Sequence, residues 1–246
     1  MKTKGKTALV TGGGVRVGKA ITLALAGAGA NVVVNYSRSA QEAEETARAA
    51  RDLGVGAITA MADVSDSDQV ARMVAQANER FGGVDILVNS ASLWQKTPLP
   101  TSDVTMWRRV IGIALDGAFY CCNATAPHML AAGAGAIVNI VDLSAWAPFP
   151  HYAAHGAAKS GLLALTRQLA VELAPAVRVN AVAPGPVLPP PDYSPAQVDR
   201  TARQTLLGRW GTPEDISSAV LFLVQADYIN AECIIVDGGE RYGRNR

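Results

Sequence analysis

The chain has 246 residues, of which 49% are hydrophobic and 17% charged, and carries a net charge of +1. That length suits one large α/β domain, and a chain of this size buries roughly 70–75% of its unfolded surface, so its core needs no staples. The near-neutral balance excludes the basic field that nucleic acid or an anionic membrane would require, leaving a small molecule as the expected partner.

Short apolar, β-branched runs alternate with helical periodicity along the chain. A first strand, expected over 7–11, runs into Val10-Thr-Gly-Gly-Gly-Val-Arg-Val-Gly18, and helical periodicity follows over 18–28. Glycines at such a turn let the backbone approach a pyrophosphate, which rests on the helix N-terminus. Arg16 in the first helical turn opposes the helix dipole unless an anion lies nearby, which points to a phosphate partner; a solvated arginine is the plain alternative.

The second strand, over 31–36, ends in Asn35-Tyr-Ser-Arg-Ser39. A site for NAD wants an acidic residue near here for the ribose 2′-hydroxyl. None occurs between Asn31 and Gln41. Arg38, flanked by Ser37 and Ser39, instead offers a guanidinium fork and two hydroxyls suited to a 2′-phosphate, so NADPH/NADP+ is the expected cofactor. After a helical stretch over 40–53, a third strand over 57–62 delivers Asp63 and Val64 to the place where an adenine would lie.

Helical periodicity over 66–81 precedes strands over 86–89 and 136–141, and a further helix covers 156–173. His155 and Lys159 stand four apart in Tyr152-Ala-Ala-His-Gly-Ala-Ala-Lys159, so on a helix they point into the same space. Strands over 178–183 and 233–236 complete a set of seven. Apolar strands separated by helices imply a parallel sheet covered on both faces. Right-handed crossovers make it a doubly wound Rossmann fold, one α/β domain over 1–246, with its ligand at the carboxyl ends of the strands. The compositional break Pro184-Gly-Pro-Val-Leu-Pro-Pro-Pro191, with the polar segment after it, predicts a structureless substrate lid over 184–208.

Three cysteines, two of them adjacent (Cys121 and Cys122), suit small core positions in a reducing compartment better than a disulfide framework. His128 and His151 read as surface and loop residues, and no metal site is expected. No signal-like apolar region follows the start and no stretch is long enough to span a bilayer, so the cytoplasm is the expected location.

Thr11-Gly-x-x-x-Arg-x-Gly18, Asp63-Val64, Asn89-Ser-Ala-Ser92, Asn139-Ile-Val-Asp142, the Lys159 helix, Arg178-Val-Asn-Ala-Val-Ala-Pro-Gly185 and Val236-Asp-Gly-Gly239 together resemble the short-chain dehydrogenase/reductase family over nearly the whole chain. The resemblance implies that Gly12, Arg16, Val17, Gly18, Asn89, Ser90, Ala91, Lys159, Pro184 and Gly185 join Ser37, Arg38, Ser39, Asp63 and Val64 around the dinucleotide, with Lys159 on the ribose hydroxyls. Within the family, several details are similar to pteridine reductases: Arg16 in place of a glycine, the run Tyr36-Ser-Arg-Ser-Ala40, and Asp142 where most members carry a catalytic serine. By the same resemblance Arg16, Ser92, Trp94 and Tyr152 line the substrate pocket, with Trp94 sandwiching a flat substrate against the nicotinamide. The family's usual assembly is a homotetramer; a homodimer is the alternative.

The departures bear on the reaction. The family's helix asparagine corresponds to Ala114 and its catalytic tyrosine to His155, leaving Lys159 as the unchanged catalytic position. Asp142, His155 and Lys159 are therefore the catalytic candidates, with Asp142 and His155 as a proton-delivery couple. The resulting expectation is an NADPH-dependent reductase of a planar conjugated C=N or C=O substrate: a pterin, a cyclic imine or a quinone. Tyr152 or water as proton donor, a 3-oxoacyl-type carbonyl reductase, and a catalytically silent NADPH-binding scaffold are the alternatives.

Overall fold

The computed structural model describes residues 1–190 and 193–243. Pro191, the last residue of the proline run within the expected lid, lies outside the described residues, as do Asp192 and 244–246. Seven parallel strands form one sheet in the order β3-β2-β1-β4-β5-β6-β7. They are β1 (Thr7–Val10), β2 (Asn31–Tyr36), β3 (Ala57–Met61), β4 (Ile86–Asn89), β5 (Gly135–Ile140), β6 (Val177–Pro184) and β7 (Cys233–Val236). The expected strands all form, with ends differing by a residue or so.

Alternation along the strands divides the core into two layers. Ala8, Val10, Val32, Val34, Ile86 and Val88 face one side, where they meet Ile21 and Leu25 of α1 (Arg16–Gly27), Ala43, Ala47 and Ala50 of α2 (Ala40–Asp52), and Ile216, Val220 and Leu223 of α8 (Pro213–Gln225). Leu9, Val33, Leu87 and Ile137 face the other, against α3 (Ser67–Phe81), α5 (Gly117–Ala131) and α6 (Ala153–Glu172). Because both faces are covered, the strands read as continuous apolar runs. The alanine stripe of α2 permits close approach: a Cβ on Gly14 would sit 2.8 Å from the Ala43 Cα.

Between β4 and β5 the chain forms α4 (Thr105–Ile111), then a π-helical turn over Gly112–Asp116, then α5. Ala114 lies buried in that turn. Helix α5 continues through Pro127. Cys121 and Cys122 are buried on its inner face, in the small core positions expected of them.

The region 184–208 differs from the structureless lid expected. Pro184 ends β6, and residues 195–204 form a regular helix, α7 (Pro195–Gln204). Its start carries a capping box, the Ser194 side chain and Gln197 each satisfying the other's backbone amide, with Pro195 in the first turn. That pattern is a helix start in its own right, and it overrides the loop character of the prolines before it. Trp210 Nε1 donates to the Val198 carbonyl at 2.9 Å, holding α7 against the chain that follows. No helix among the described residues is long and apolar enough to cross a membrane.

Arg178 anchors the far end of β6. Its Nη1 donates to the Leu223 and Ile229 carbonyls at 2.8 and 3.2 Å, and its Nη2 to Val224 at 2.8 Å. These carbonyls belong to the C-terminal turn of α8 and the chain beyond it, and the helix leaves such groups without partners of its own. Arg178→Ala is expected to lower stability by about 2 kcal/mol, the scale of hydrogen bonds to a charged group, as read from urea unfolding. A loss under about 0.5 kcal/mol would show that water replaces the guanidinium at no net cost.

Candidate functional site

Strand order reverses between β1 and β4, and a crevice opens there at the carboxyl ends, as such sheets dictate. A groove of about 610 Å³ brings together Gly12, Arg16, Val17, Gly18, Ser37, Arg38, Ser39, Asp63, Val64, Ser90 and Ala91, with Ser92 beside them. Val15, Asn35, Tyr36, Ala62, Leu93, Met106, Arg109 and Ile113 complete its lining. Most of the residues expected around a dinucleotide thus share one surface.

The glycine turn is built for close approach. Gly12 adopts φ +61°, and a Cβ on Gly18 would lie 2.1 Å from the Gly12 carbonyl oxygen. Thr22 Oγ1 donates to the Gly13 and Gly18 carbonyls, and the Asn35 side chain accepts from the Gly12 amide at 3.1 Å. Helix α1 begins without a side-chain cap and without an acidic residue in its first turn. Its first amides therefore remain available for a phosphate. Arg16 takes φ +51°, uncommon for a side-chain-bearing residue. Its Nη2 donates to the Leu188 carbonyl at 3.2 Å, so it ties the turn to the segment after β6. The first turn's cation thus has a carbonyl partner, where its opposition to the helix dipole points to phosphate.

At the other end of the groove, Arg38 is exposed at the tip of β2, flanked in sequence by Ser37 and Ser39. Asp63 is already engaged. Its Oδ1 accepts from the Ser65 amide and hydroxyl, and its Oδ2 pairs with Arg109 at 2.6 Å. Burial pushes the Asp63 carboxyl up, but the bonds and charge of Arg109 and the Ser65 donors outweigh it and hold the group below its ordinary value. Arg109, from α4, has no sequence signal of its own. It reaches the groove with Met106 from α4 and Ile113 from the π-helical turn that follows.

Asn89, Lys159, Pro184 and Gly185, expected at the cofactor, do not line this groove. The Asn89 Nδ2 donates to Asn139 Oδ1 at 2.8 Å, and Asn139 Nδ2 to Thr166 Oγ1 at 2.9 Å. That buried chain ties β4, β5 and α6 together beneath the site. A Cβ on Gly185 would meet the Asp237 Cα at 2.6 Å, so packing of the β6 end against the chain after β7 accounts for that glycine.

The three catalytic candidates do converge. Asp142 follows β5 and caps a short 3-10 turn, Leu143–Ala145. Its Oδ1 accepts from the Ser144 amide at 2.8 Å and from the Ser144 hydroxyl; its Oδ2 contacts His155 Nε2. Lys159 Nζ donates to the Ile140 carbonyl at 2.7 Å. The lysine therefore meets the backbone of β5 rather than the groove where a ribose is expected for it. Both His155 and Lys159 are buried, each 3% exposed. Ser144 is the residue that motif reasoning misses; its place two positions after an aspartate is the signal of a local side-chain turn.

Burial alone would raise the Asp142 carboxyl. The hydrogen bond and charge of His155, the charge of Lys159 and the Ser144 hydroxyl outweigh it and hold the group at about 2. Burial pushes Lys159 below its ordinary value, and the Asp142 charge opposes that shift.

Trp94 does not face an open slot. Its ring stacks on Tyr152 at 4.1 Å and 22°, and stands edge-on to His155 at 4.6 Å and to Phe149 at 5.6 Å. Two residues expected to touch a substrate thus touch each other. Thr97 fixes this arrangement: its amide donates to the His151 carbonyl, and its hydroxyl accepts from the Ala154 amide in the first turn of α6. The segment from Ser90 to Trp94 is the bridge between groove and catalytic cluster. Among the described residues no three metal-ligating side chains converge.

A family model described as enoyl-(acyl carrier protein) reductase matches residues 14–240. The cis-4-hydroxycyclohexanecarboxylate dehydrogenase of Sinomonas cyclohexanicum is 40% identical over 241 residues, covering 95% of this chain and 96% of its own. The 3-oxoacyl-(acyl-carrier-protein) reductase FabG of Staphylococcus aureus is 36% identical, with 95% and 97% covered. A solved gluconate 5-dehydrogenase from Burkholderia cenocepacia, in complex with NADP and tartrate, superposes at a TM-score of 0.90 with 32% identity and 98% of each chain covered. The chain belongs to the short-chain dehydrogenase/reductase family.

The depressed Asp142 carboxyl has a consequence for acid stability. Its folded value, about 2, lies below the ordinary 3.8. The stabilisation is therefore present above about pH 4 and lost as pH falls through about 2, and it amounts to about 2 kcal/mol. Urea midpoints taken from about pH 5 down to about pH 2.5 should fall less steeply in Asp142→Asn than in the parent protein. Parallel curves would show that the carboxyl is not held in this way.

Proposed function

We propose that this chain is an NADP(H)-dependent oxidoreductase acting at a carbonyl or secondary-alcohol carbon, with Asp142, His155 and Lys159 as its proton-handling group. The observation that carries the reading is the buried convergence of those three side chains at the end of β5, linked by Ser90–Trp94 to the dinucleotide groove. The groove fits the cofactor: the cradle at Gly18 leaves no room for a Cβ, and the first amides of α1 are uncapped. Gly12, Val17 and Gly18 would hold the pyrophosphate, Ser37, Arg38 and Ser39 the 2′-phosphate, and Asp63 with Val64 the adenine. When bound, the nicotinamide supplies or accepts a hydride; the chain's task is to orient the substrate, exclude water and move one proton.

His155 takes the place where the family carries its tyrosine acid, and Asp142 orients the ring and offsets the positive charge that a proton brings to it. Lys159 contributes a cation from the same helix face. The relatives' names, a ketoacyl reductase and two alcohol-type dehydrogenases, favour carbonyl and alcohol chemistry. A planar pterin, cyclic imine or quinone is the second reading, supported by Asp142, which pteridine reductases share, and by the aromatic wall at Trp94. The Trp94–Tyr152 stack weighs against it, because a flat substrate would have to wedge between rings already in contact. A homotetramer in the cytoplasm belongs to the same proposal. Phe119 on α5, Val171 on α6 and Phe222 on α8 are large apolar side chains left exposed on helices that would meet other copies.

Arg38→Glu is expected to weaken NADPH binding by about tenfold to a hundredfold, the scale of a charged hydrogen bond, with NADH affected far less. Equal weakening of both, in fluorescence titrations, would remove Arg38 from 2′-phosphate recognition. Coenzyme-linked turnover is expected on ketones and secondary alcohols and should survive Trp94→Ala. Turnover confined to planar heterocycles and lost in Trp94→Ala would establish the second reading instead.

A further inference from the structure

The imidazole of His155 has two nitrogens with unequal surroundings. Nε2 is taken by Asp142 Oδ2. Nδ1 is buried and has no hydrogen-bond partner among the described residues. Like Asn89 Oδ1 in the chain beneath the site, this buried nitrogen is unpaired, which is costly, and in a catalytic cluster such an atom calls for a ligand or a catalytic explanation. We propose that His155 Nδ1 is the atom that exchanges a proton with the substrate, and that as the bare ring nitrogen it is an acceptor suited to a secondary-alcohol hydroxyl. This rests on the oxidoreductase reading above and adds the reacting atom, the resting tautomer and the substrate group that fits it.

The tautomer follows from the neighbours. Asp142 Oδ1 already accepts from the Ser144 amide and hydroxyl, and Lys159 stands close enough for its charge to act on the same carboxylate. A carboxylate ringed by donors and held at about 2 is ionised. An ionised carboxylate only accepts, so the hydrogen of the Asp142–His155 bond sits on Nε2. The groups acting on the ring are Asp142 from the start of the 3-10 turn, Lys159 from the same helix and the uncharged Trp94 indole, perpendicular to the imidazole and stacked on Tyr152. Asp142 and Lys159 cancel one another when the imidazole is neutral. The neutral ring then carries its lone pair on Nδ1.

A lone pair matches a hydroxyl, which donates, and opposes a ketone oxygen, which only accepts. In the oxidative direction the alcohol O–H bond breaks and its proton goes to Nδ1. The carbinol C–H bond would break with its electron pair, which a bound oxidised nicotinamide cofactor would accept as hydride, and the carbon–oxygen bond would become a carbonyl. Asp142 stays ionised, stabilises the imidazolium and keeps the ring in place; the extra proton then passes to solvent. Reduction needs the same ring already protonated, so the two directions depend oppositely on pH.

Nitrogen-15 spectra of the cofactor-free protein test the assignment without turnover, since the chain has only three histidines. The expected result is an imidazole protonated at Nε2 and bare at Nδ1, as the contact of Nε2 with the Asp142 carboxylate requires. Alcohol oxidation should rise with pH and ketone reduction fall, since one direction needs a proton acceptor and the other a proton donor. His155→Gln can keep a hydrogen bond to Asp142, and should cut kcat for oxidation by at least about a hundredfold while NADPH affinity stays within about threefold. A neutral ring protonated at Nδ1, or oxidation indifferent to His155→Gln, in a protein that does turn over alcohols overturns this inference alone. Absence of coenzyme-linked turnover on every secondary alcohol and ketone, with NADPH bound, overturns the functional reading and the inference with it.

Discussion

At the end of β5 a carboxylate, an imidazole and an ammonium group share a buried volume, and their charges have to balance. Asp142 and Lys159 carry opposite charges, and each acts on the other. Desolvation penalises a lone charge here, so removing Asp142 or Lys159 leaves the other's charge uncompensated. Ser144 makes the arrangement directional. By occupying one carboxylate oxygen it leaves the other for the imidazole, and the ring is thereby oriented with one nitrogen outward from the pair.

The sheet explains why this cluster lies near the groove at the carboxyl ends of the strands. All strands are parallel, so every carboxyl end falls on one edge, and the reversal of order between β1 and β4 opens the crevice there. Asp142 emerges from β5, one strand beyond the reversal, and α6 returns His155 and Lys159 over it. The Asn89–Asn139–Thr166 chain ties β4, β5 and α6 in register beneath the two sites. Rigid elements carry the buried cluster, while the loop from Ser90 to Trp94 connects it to the groove.

Much of this is legible in the residues themselves. Strand and helix positions follow from period-two and period-3.6 patterning, which is local. The glycine turn and the acid-free end of β2 are local too, and they identify most of the groove. Other features escape because their signal competes with a stronger one. The capping box at Ser194 is masked by the prolines around it, so α7 reads as loop. The motif assigns Asn89 to the cofactor, although its side chain turns into the sheet.

Sequence alone determined the fold class, the cofactor end and the identity of the three catalytic candidates, because each depends on residue type at short spacing. Tertiary structure decided what those residues touch. It put Nε2 of His155 on Asp142, closed Trp94 against Tyr152, and set Arg109 on Asp63. Each of these pairs joins different elements, up to 58 positions apart for Trp94 and Tyr152. Which nitrogen or which ring face remains free is a matter of rotamer and packing, and neither periodicity nor a motif encodes it.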